Sequence, residues 1–98
     1  MTQLKLSLKG LNFQTTKIDE KNNILTITLN RPEKKNALNN VMVDEICYAL
    51  AYAKQERSVR VVIIAAEGDI FCAGEDLRRE KYISNVPKLE GSDDISLM

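Results

Sequence analysis

Between Val59 and Ala66 the chain reads Val-Arg-Val-Val-Ile-Ile-Ala-Ala, a nearly continuous apolar run with five β-branched positions. Such a run does not alternate, so it suits a parallel strand covered on both faces better than a strand with one wet face. A parallel strand cannot follow its neighbour through a tight turn; it needs a crossover, usually a helix. The preceding residues supply one. Met42, Ile46, Ala49, Leu50 and Ala53 fall at i, i+4, i+7, i+8 and i+11, one face of a helix. Asn39 or Asn40 is a plausible N-cap, Asp44 and Glu45 sit early, and Lys54 and Arg57 sit late, as the helix dipole favours. These signals place a helix at about residues 40–56, with Glu45 read as solvated. Before it, Ile24 to Asn30 is a clear strand. Strand, helix, strand implies a right-handed βαβ crossover and an α/β fold.

Upstream, Phe13 to Asp19 alternates and is Thr-rich, which predicts a second strand, and Glu20 to Asn23 has turn composition. The two strands form a hairpin. Leu4, Leu6 and Leu8 alternate with polar residues, so a short terminal strand is one reading of a lead-in over residues 1–12. Arg31-Pro32 ends the second strand, because Pro32 lacks an N–H and pushes Arg31 out of the helical region. After the apolar run come a turn at Glu67-Gly68-Asp69, a small-residue segment over residues 70–74 and a helix start over residues 75–80. The expected organisation is one partial domain over residues 13–84 and a loop or tail over residues 85–98.

At 98 residues the chain is one domain at most. Fourteen basic and 14 acidic residues cancel to a formal charge of zero, which removes the electrostatic case for a nucleic-acid or anionic-membrane partner. No apolar run approaches the roughly 20 residues of a membrane helix. Histidine is absent, so this chain holds no His ligand, His base or His-containing triad. Cys47 and Cys72 stand apart from any metal spacing and read as reduced thiols. Residues 1–10 lack a signal-peptide core, and the expected location is cytoplasmic.

Open α/β sheets bind ligands beyond the carboxyl ends of their strands. Two loops qualify here, residues 30–38 and 68–77, and adjacent parallel strands bring them side by side. In Phe71-Cys72-Ala73-Gly74-Glu75-Asp76, small residues let a ligand approach the backbone. N–H groups at a following helix start suit an oxygen that becomes negative in a transition state. The competing reading is a tight strand-to-helix turn with glycine there for packing. Cys72 has no base nearby in sequence and reads as a small packing residue.

The stretch Ile27-Thr28-Leu29-Asn30-Arg31-Pro32-Glu33-Lys34-Lys35-Asn36-Ala37-Leu38, the helix through Met42, Glu45 and Leu50, the strand Val59 to Ile64, and Phe71-Cys72-Ala73-Gly74-Glu75-Asp76-Leu77 follow one another in order. Together they resemble the N-terminal part of the crotonase family, the enoyl-CoA hydratases and isomerases, over about residues 13–80. The resemblance implies the ββαβ portion of the crotonase spiral: hairpin, crossover helix, parallel strand and the start of a further helix.

It further implies an acyl-CoA thioester substrate, with coenzyme A as part of the substrate and no separate cofactor. The enolate oxyanion is held by two backbone N–H groups, the first belonging to the residue after the Gly of the motif, here Glu75. Many members carry a small residue there, so Glu75 departs from the pattern in its side chain. Ala73 and Gly74 line the approach, Asp76, Leu77 and Arg78 lie along the CoA, and Asn36, Ala37 and Leu38 flank it. Lys34 or Lys35 either meets a CoA phosphate or is simply solvated. The second oxyanion N–H and the acid/base carboxylates come from downstream of the 98 residues, so the chain alone is expected to be inactive as a hydratase. Family members assemble as trimers or pairs of trimers, which makes self-association the expectation. The alternative function is a non-catalytic acyl-CoA-binding or subunit-interaction module.

Overall fold

A computed structural model describes residues 5–76 and 83–87. Its elements are β1 (Thr16–Lys21), β2 (Ile24–Leu29), a 3-10 turn (Pro32–Lys34), α1 (Asn40–Gln55) and β3 (Val61–Ala66). The sheet order is β1-β2-β3. β1 pairs antiparallel with β2, from Thr16 opposite Leu29 to Lys21 opposite Ile24. β3 pairs parallel with β2, from Ile24 beside Val61 to Leu29 beside Ala66. The ββαβ order and the parallel sense of β2 and β3 are those expected from the sequence.

The hairpin turn is tighter than its composition suggests. Only Asn22 and Asn23 leave the strands, with φ of 54° and 67°. Two successive left-handed residues make a turn whose twist matches its flanking strands, and asparagine tolerates that region best after glycine. The turn also anchors β3. The Asn23 carbonyl accepts from Arg60 N at 2.8 Å and Val61 N at 3.3 Å, and Asn23 Nδ2 donates to the Ser58 carbonyl at 2.7 Å.

β1 begins at Thr16 and not at Phe13, for a reason lying on the helix. Gln14 and Thr15 turn their N–H groups away from the ladder to the carboxylate of Glu45. Glu45 is fully buried, which corrects its reading as a solvated residue. Its Oε1 accepts from Thr15 N at 2.9 Å, Thr15 Oγ1 at 2.6 Å and Thr16 Oγ1 at 3.0 Å, and its Oε2 accepts from Gln14 N. A carboxylate withdrawn from water needs such donors, and here they weld α1 to the entry of β1.

α1 starts where the sequence places it. Asn39 is the N-cap, and its side chain accepts from Met42 N at 2.9 Å. One face of β2 presents Leu25, Ile27 and Leu29, all buried. Leu25, Ile27 and Ala49 form the centre of the core, joined by Ile18, Ile46, Tyr52, Ala53 and Val59. Full burial of a leucine or isoleucine contributes about 1.5–3 kcal/mol. The helix face is rotated from the expected one: Leu50 is half exposed, while Val41, Glu45 and Tyr48 are buried.

The lead-in forms no strand over its described residues. It is pinned to α1 by polar contacts: Leu6 N donates to Gln55 Oε1 at 2.8 Å, and Tyr48 Oη donates to the Ser7 carbonyl at 2.8 Å. Residues 83–87 also return to the body, with Val86 buried and Ser84 Oγ donating to Asp44.

β3 departs from its expected environment. Its apolar run predicts a strand covered on both faces, yet Val61, Val62, Ile63 and Ile64 are 36–51% exposed. Among the described residues α1 packs over β1 and β2, and no element covers β3 at the sheet edge.

Candidate functional site

The loops after β2 and β3 meet at the carboxyl end of the parallel pair, and the joint between them is detailed. Lys35 and Asn36, both at φ 54°, reverse the first loop after its 3-10 turn. That reversal aims the Asn36 side chain inward, where it is fully buried. Its Oδ1 accepts from Arg31 N at 2.7 Å, and its Nδ2 donates to the carbonyls of Glu67 at 2.8 Å and Ile70 at 2.9 Å. Both amide hydrogens are therefore spent on the second loop. Asn36, expected to flank the ligand, bolts the two loops together.

Backbone pairing continues the joint. Ala73 N donates to the Lys35 carbonyl at 3.0 Å, Leu38 N to the Gly74 carbonyl at 2.8 Å, and Asp76 N to the Leu38 carbonyl at 2.7 Å. The last two bonds make a parallel bridge between Leu38 and Glu75. In such a bridge the N–H and C=O of the bridged residue, Glu75, face away from its partner strand. Among the described residues no acceptor pairs with the Glu75 N–H. Glu75 thus sits in a short bridged segment, and residues 77–80 of the expected helix start lie outside the described residues.

Gly74 makes this geometry possible. Its φ of 102° is a conformation that side-chain-bearing residues avoid, and an added Cβ meets no atom within 4 Å. The requirement at Gly74 is conformational, and the space beside it is open. Gly74 N donates to Cys72 Sγ at 3.4 Å, which fixes the thiol beside the loop backbone. Gly68 has both constraints: φ is 87°, and an added Cβ lies 3.0 Å from Pro32 Cβ. The loops touch directly there.

One ion pair closes the arrangement. Arg31 Nη2 lies 3.3 Å from Asp76 Oδ2, with side-chain exposures of 9% and 10%. Arg31 Nη1 also donates to the Ala37 carbonyl. The one guanidinium therefore holds the carboxylate of the second loop and a carbonyl of the first. Contrast Lys17 with Glu67, 3.2 Å apart but 60% and 46% exposed. A wet pair of that kind contributes about 0–1 kcal/mol, whereas breaking a buried pair on one side costs about 3–5 kcal/mol.

The structure brings Asn36, Ala37, Leu38, Ala73, Gly74, Glu75 and Asp76 together across this joint. Leu77 and Arg78 lie outside the described residues. Asp76 spends its side chain on Arg31, and Lys34 and Lys35 are exposed. The reading from sequence missed Arg31 as a member of the joint and Gly68 as a contact. Arginine before proline reads only as a strand stop, and nothing in its spacing from Asp76 announces the pair.

An open concavity of about 240 Å³ lies beside the first loop, lined by Gln14, Thr15, Asn30, Arg31, Glu33, Asn39 and Val41. A larger one, about 520 Å³, lies at the opposite end of the sheet, between residues 5–9 and Tyr52. The larger cavity is remote from the loop joint. Tyr52 there donates to Glu20, whose carboxylate, with burial, pushes the phenol up to about 12. Among the described residues, no three carboxylate or thiol side chains converge to hold a metal ion.

Comparison with known proteins follows the same segments. A sequence model of the family described as enoyl-CoA hydratase/isomerase matches residues 19–90. A probable enoyl-CoA hydratase of Mycobacterium leprae is 34% identical over 73 residues, 71% of this chain and 30% of that protein. The mouse mitochondrial enoyl-CoA hydratase domain-containing protein 2 is 42% identical over 64 residues, 64% of this chain and 22% of its own length. The crystal structure of a probable enoyl-CoA hydratase from Mycobacterium smegmatis superposes with a TM-score of 0.63 at 42% identity, covering 70% of this chain and 28% of that one. The chain thus spans less than a third of the length of each of these three proteins.

Proposed function

The chain belongs to the enoyl-CoA hydratase/isomerase family, and from that premise we propose that it is the acyl-CoA-binding N-terminal portion of such an enzyme. The Glu75 N–H is the first of two donors to the thioester oxygen. Charge that develops on that oxygen, as the thioester becomes an enolate, is stabilised by a donor already in place before reaction. The observation that carries this reading is the Leu38–Glu75 bridge, which turns the Glu75 N–H away from the ladder and leaves it without an acceptor among the described residues. Ile70 and Phe71, 45% and 56% exposed on the same loop, offer apolar surface to an acyl chain.

The whole enzyme adds water to, or shifts the double bond of, a 2-enoyl-CoA. The second donor and the acid/base carboxylates belong to the remainder of such an enzyme. The 98-residue polypeptide alone therefore binds acyl-CoA without turning it over. Calorimetry with crotonyl-CoA and a hydration assay test both halves. Binding that Gly74→Val abolishes, with no hydration, is the expected result. No binding by the unaltered chain overturns the acyl-CoA reading in favour of a subunit-interaction role, and measurable hydration overturns the division of labour.

A further inference from the structure

Resting on the reading of Glu75 as an oxyanion donor, we infer that the buried Arg31–Asp76 pair is a positioning device for that donor. The Glu75 N–H lies in the Gly74–Glu75 peptide plane, which Leu38 N holds through the Gly74 carbonyl; Asp76 follows Glu75, so whatever fixes Asp76 keeps the segment from turning at its far end. Asp76 is held through both its backbone and its side chain. Its own N–H donates to the Leu38 carbonyl at 2.7 Å, and its carboxylate meets Arg31 at 3.3 Å. Arg31 is itself immobilised from three directions. Its N–H donates to Asn36 Oδ1, its carbonyl accepts from Lys34 N and Asn36 N at 2.9 Å, and its guanidinium donates to the Ala37 carbonyl.

Geometry argues for arginine specifically. The two guanidinium nitrogens are engaged by different loops, Nη2 by Asp76 and Nη1 by Ala37. A planar fork holds two acceptors at a fixed angle, which a single ammonium cannot do. On the other side of Glu75, Gly74 is fixed through its carbonyl by Leu38 N at 2.8 Å. The donor is thereby held at both flanking residues while its own N–H stays uncommitted among the described residues. That is what a preorganised donor requires: the supporting contacts are made before the ligand arrives and none is made by the donor itself.

Arg31 touches no substrate in this account; it acts through Asp76. The test therefore reads donor strength apart from affinity. Crotonyl-CoA labelled with carbon-13 at its carbonyl is bound at saturation, and its infrared carbonyl stretch is compared with that of free ligand. The unaltered chain lowers the frequency. Arg31→Met, which keeps the side-chain volume, binds but loses most of the lowering; Arg31→Lys retains only part of it. Because Arg31→Met removes the counter-charge from a buried carboxylate, Arg31→Met with Asp76→Asn supplies a second variant free of that charge, with the same loss expected. If these variants weaken binding or stability but the bound ligand keeps the full shift, the pair is merely structural and the inference fails while the acyl-CoA reading stands. If the unaltered chain binds crotonyl-CoA with no shift, or does not bind it, the reading of Glu75 falls and takes this inference with it.

Discussion

Asn36 ties the two loops of the joint together through one side chain. Its amide satisfies one N–H of its own loop and two carbonyls of the other, all at 2.7–2.9 Å with the side chain fully buried. Asn36→Ala strands those three groups and places alanine at φ 54°. Buried groups left unpaired cost about 1–3 kcal/mol each when water cannot reach them, so a loss of about 2–4 kcal/mol is expected in urea unfolding. A loss below about 1 kcal/mol would show that water replaces the side chain. Tyr52 gives a second test at this scale. The carboxylate of Glu20, which accepts its hydroxyl proton, resists the charge that ionisation creates, and so raises the phenol from 10 to about 12. A group raised on folding stabilises the native state fully below its unfolded value and loses that contribution as pH climbs through the folded one. Stability therefore falls between pH 10 and about 12, and Tyr52→Phe flattens that part of the profile. Thermal melts across the alkaline range measure it; an unchanged slope in the variant counts against the assignment.

The elements are joined by contacts that their own periodicities do not contain. α1 was legible from its apolar spacing and from the Asn39-Asn40 pair as its cap, and β2 from its hydrophobic density. The start of β1 was not, because Gln14 and Thr15 answer to Glu45, about 30 residues away in sequence. Glu45→Leu fills the volume but strands the backbone donors of Gln14 and Thr15 and two hydroxyls; a loss of about 3–5 kcal/mol is expected. Hydrogen exchange should place the damage at residues 14–16 first, with α1 keeping its protection. Gly68 carries the contact between the turn after β3 and the turn after β2. Gly68→Ala sets a methyl 3.0 Å from Pro32 Cβ at a φ of 87°, and a cost of about 1–3 kcal/mol follows from strain and overpacking together. A neutral Gly68→Ala in denaturant titration would mean that Pro32 gives way freely.

For the whole molecule, the uneven sheet is the dominant feature. The β1 edge carries Lys17, Asp19, Glu20 and Lys21, charges of the kind that keep an edge strand from recruiting another chain. The β3 edge carries Val61, Val62, Ile63 and Ile64, exposed and uncharged. Such a strand associates, so sedimentation of the 98-residue polypeptide is expected to depend on concentration, and Ile63→Lys to suppress that dependence. A monomer at all concentrations overturns the expectation.

Sequence by itself determined the element order, the parallel sense of β2 and β3, the start of α1 to within one residue and the family, because these rest on local periodicity and on two loop motifs around one helix. Only the tertiary structure decided that Glu45 is buried, that Asn36 faces the second loop, that Arg31 finds Asp76, and that Glu75 is bridged to Leu38 with its N–H turned outward. Those are contacts between residues about 30–45 positions apart. Side-chain chemistry states what such groups need, a donor or a counter-charge out of water. Which group answers is settled only when the crossover brings the strand ends together.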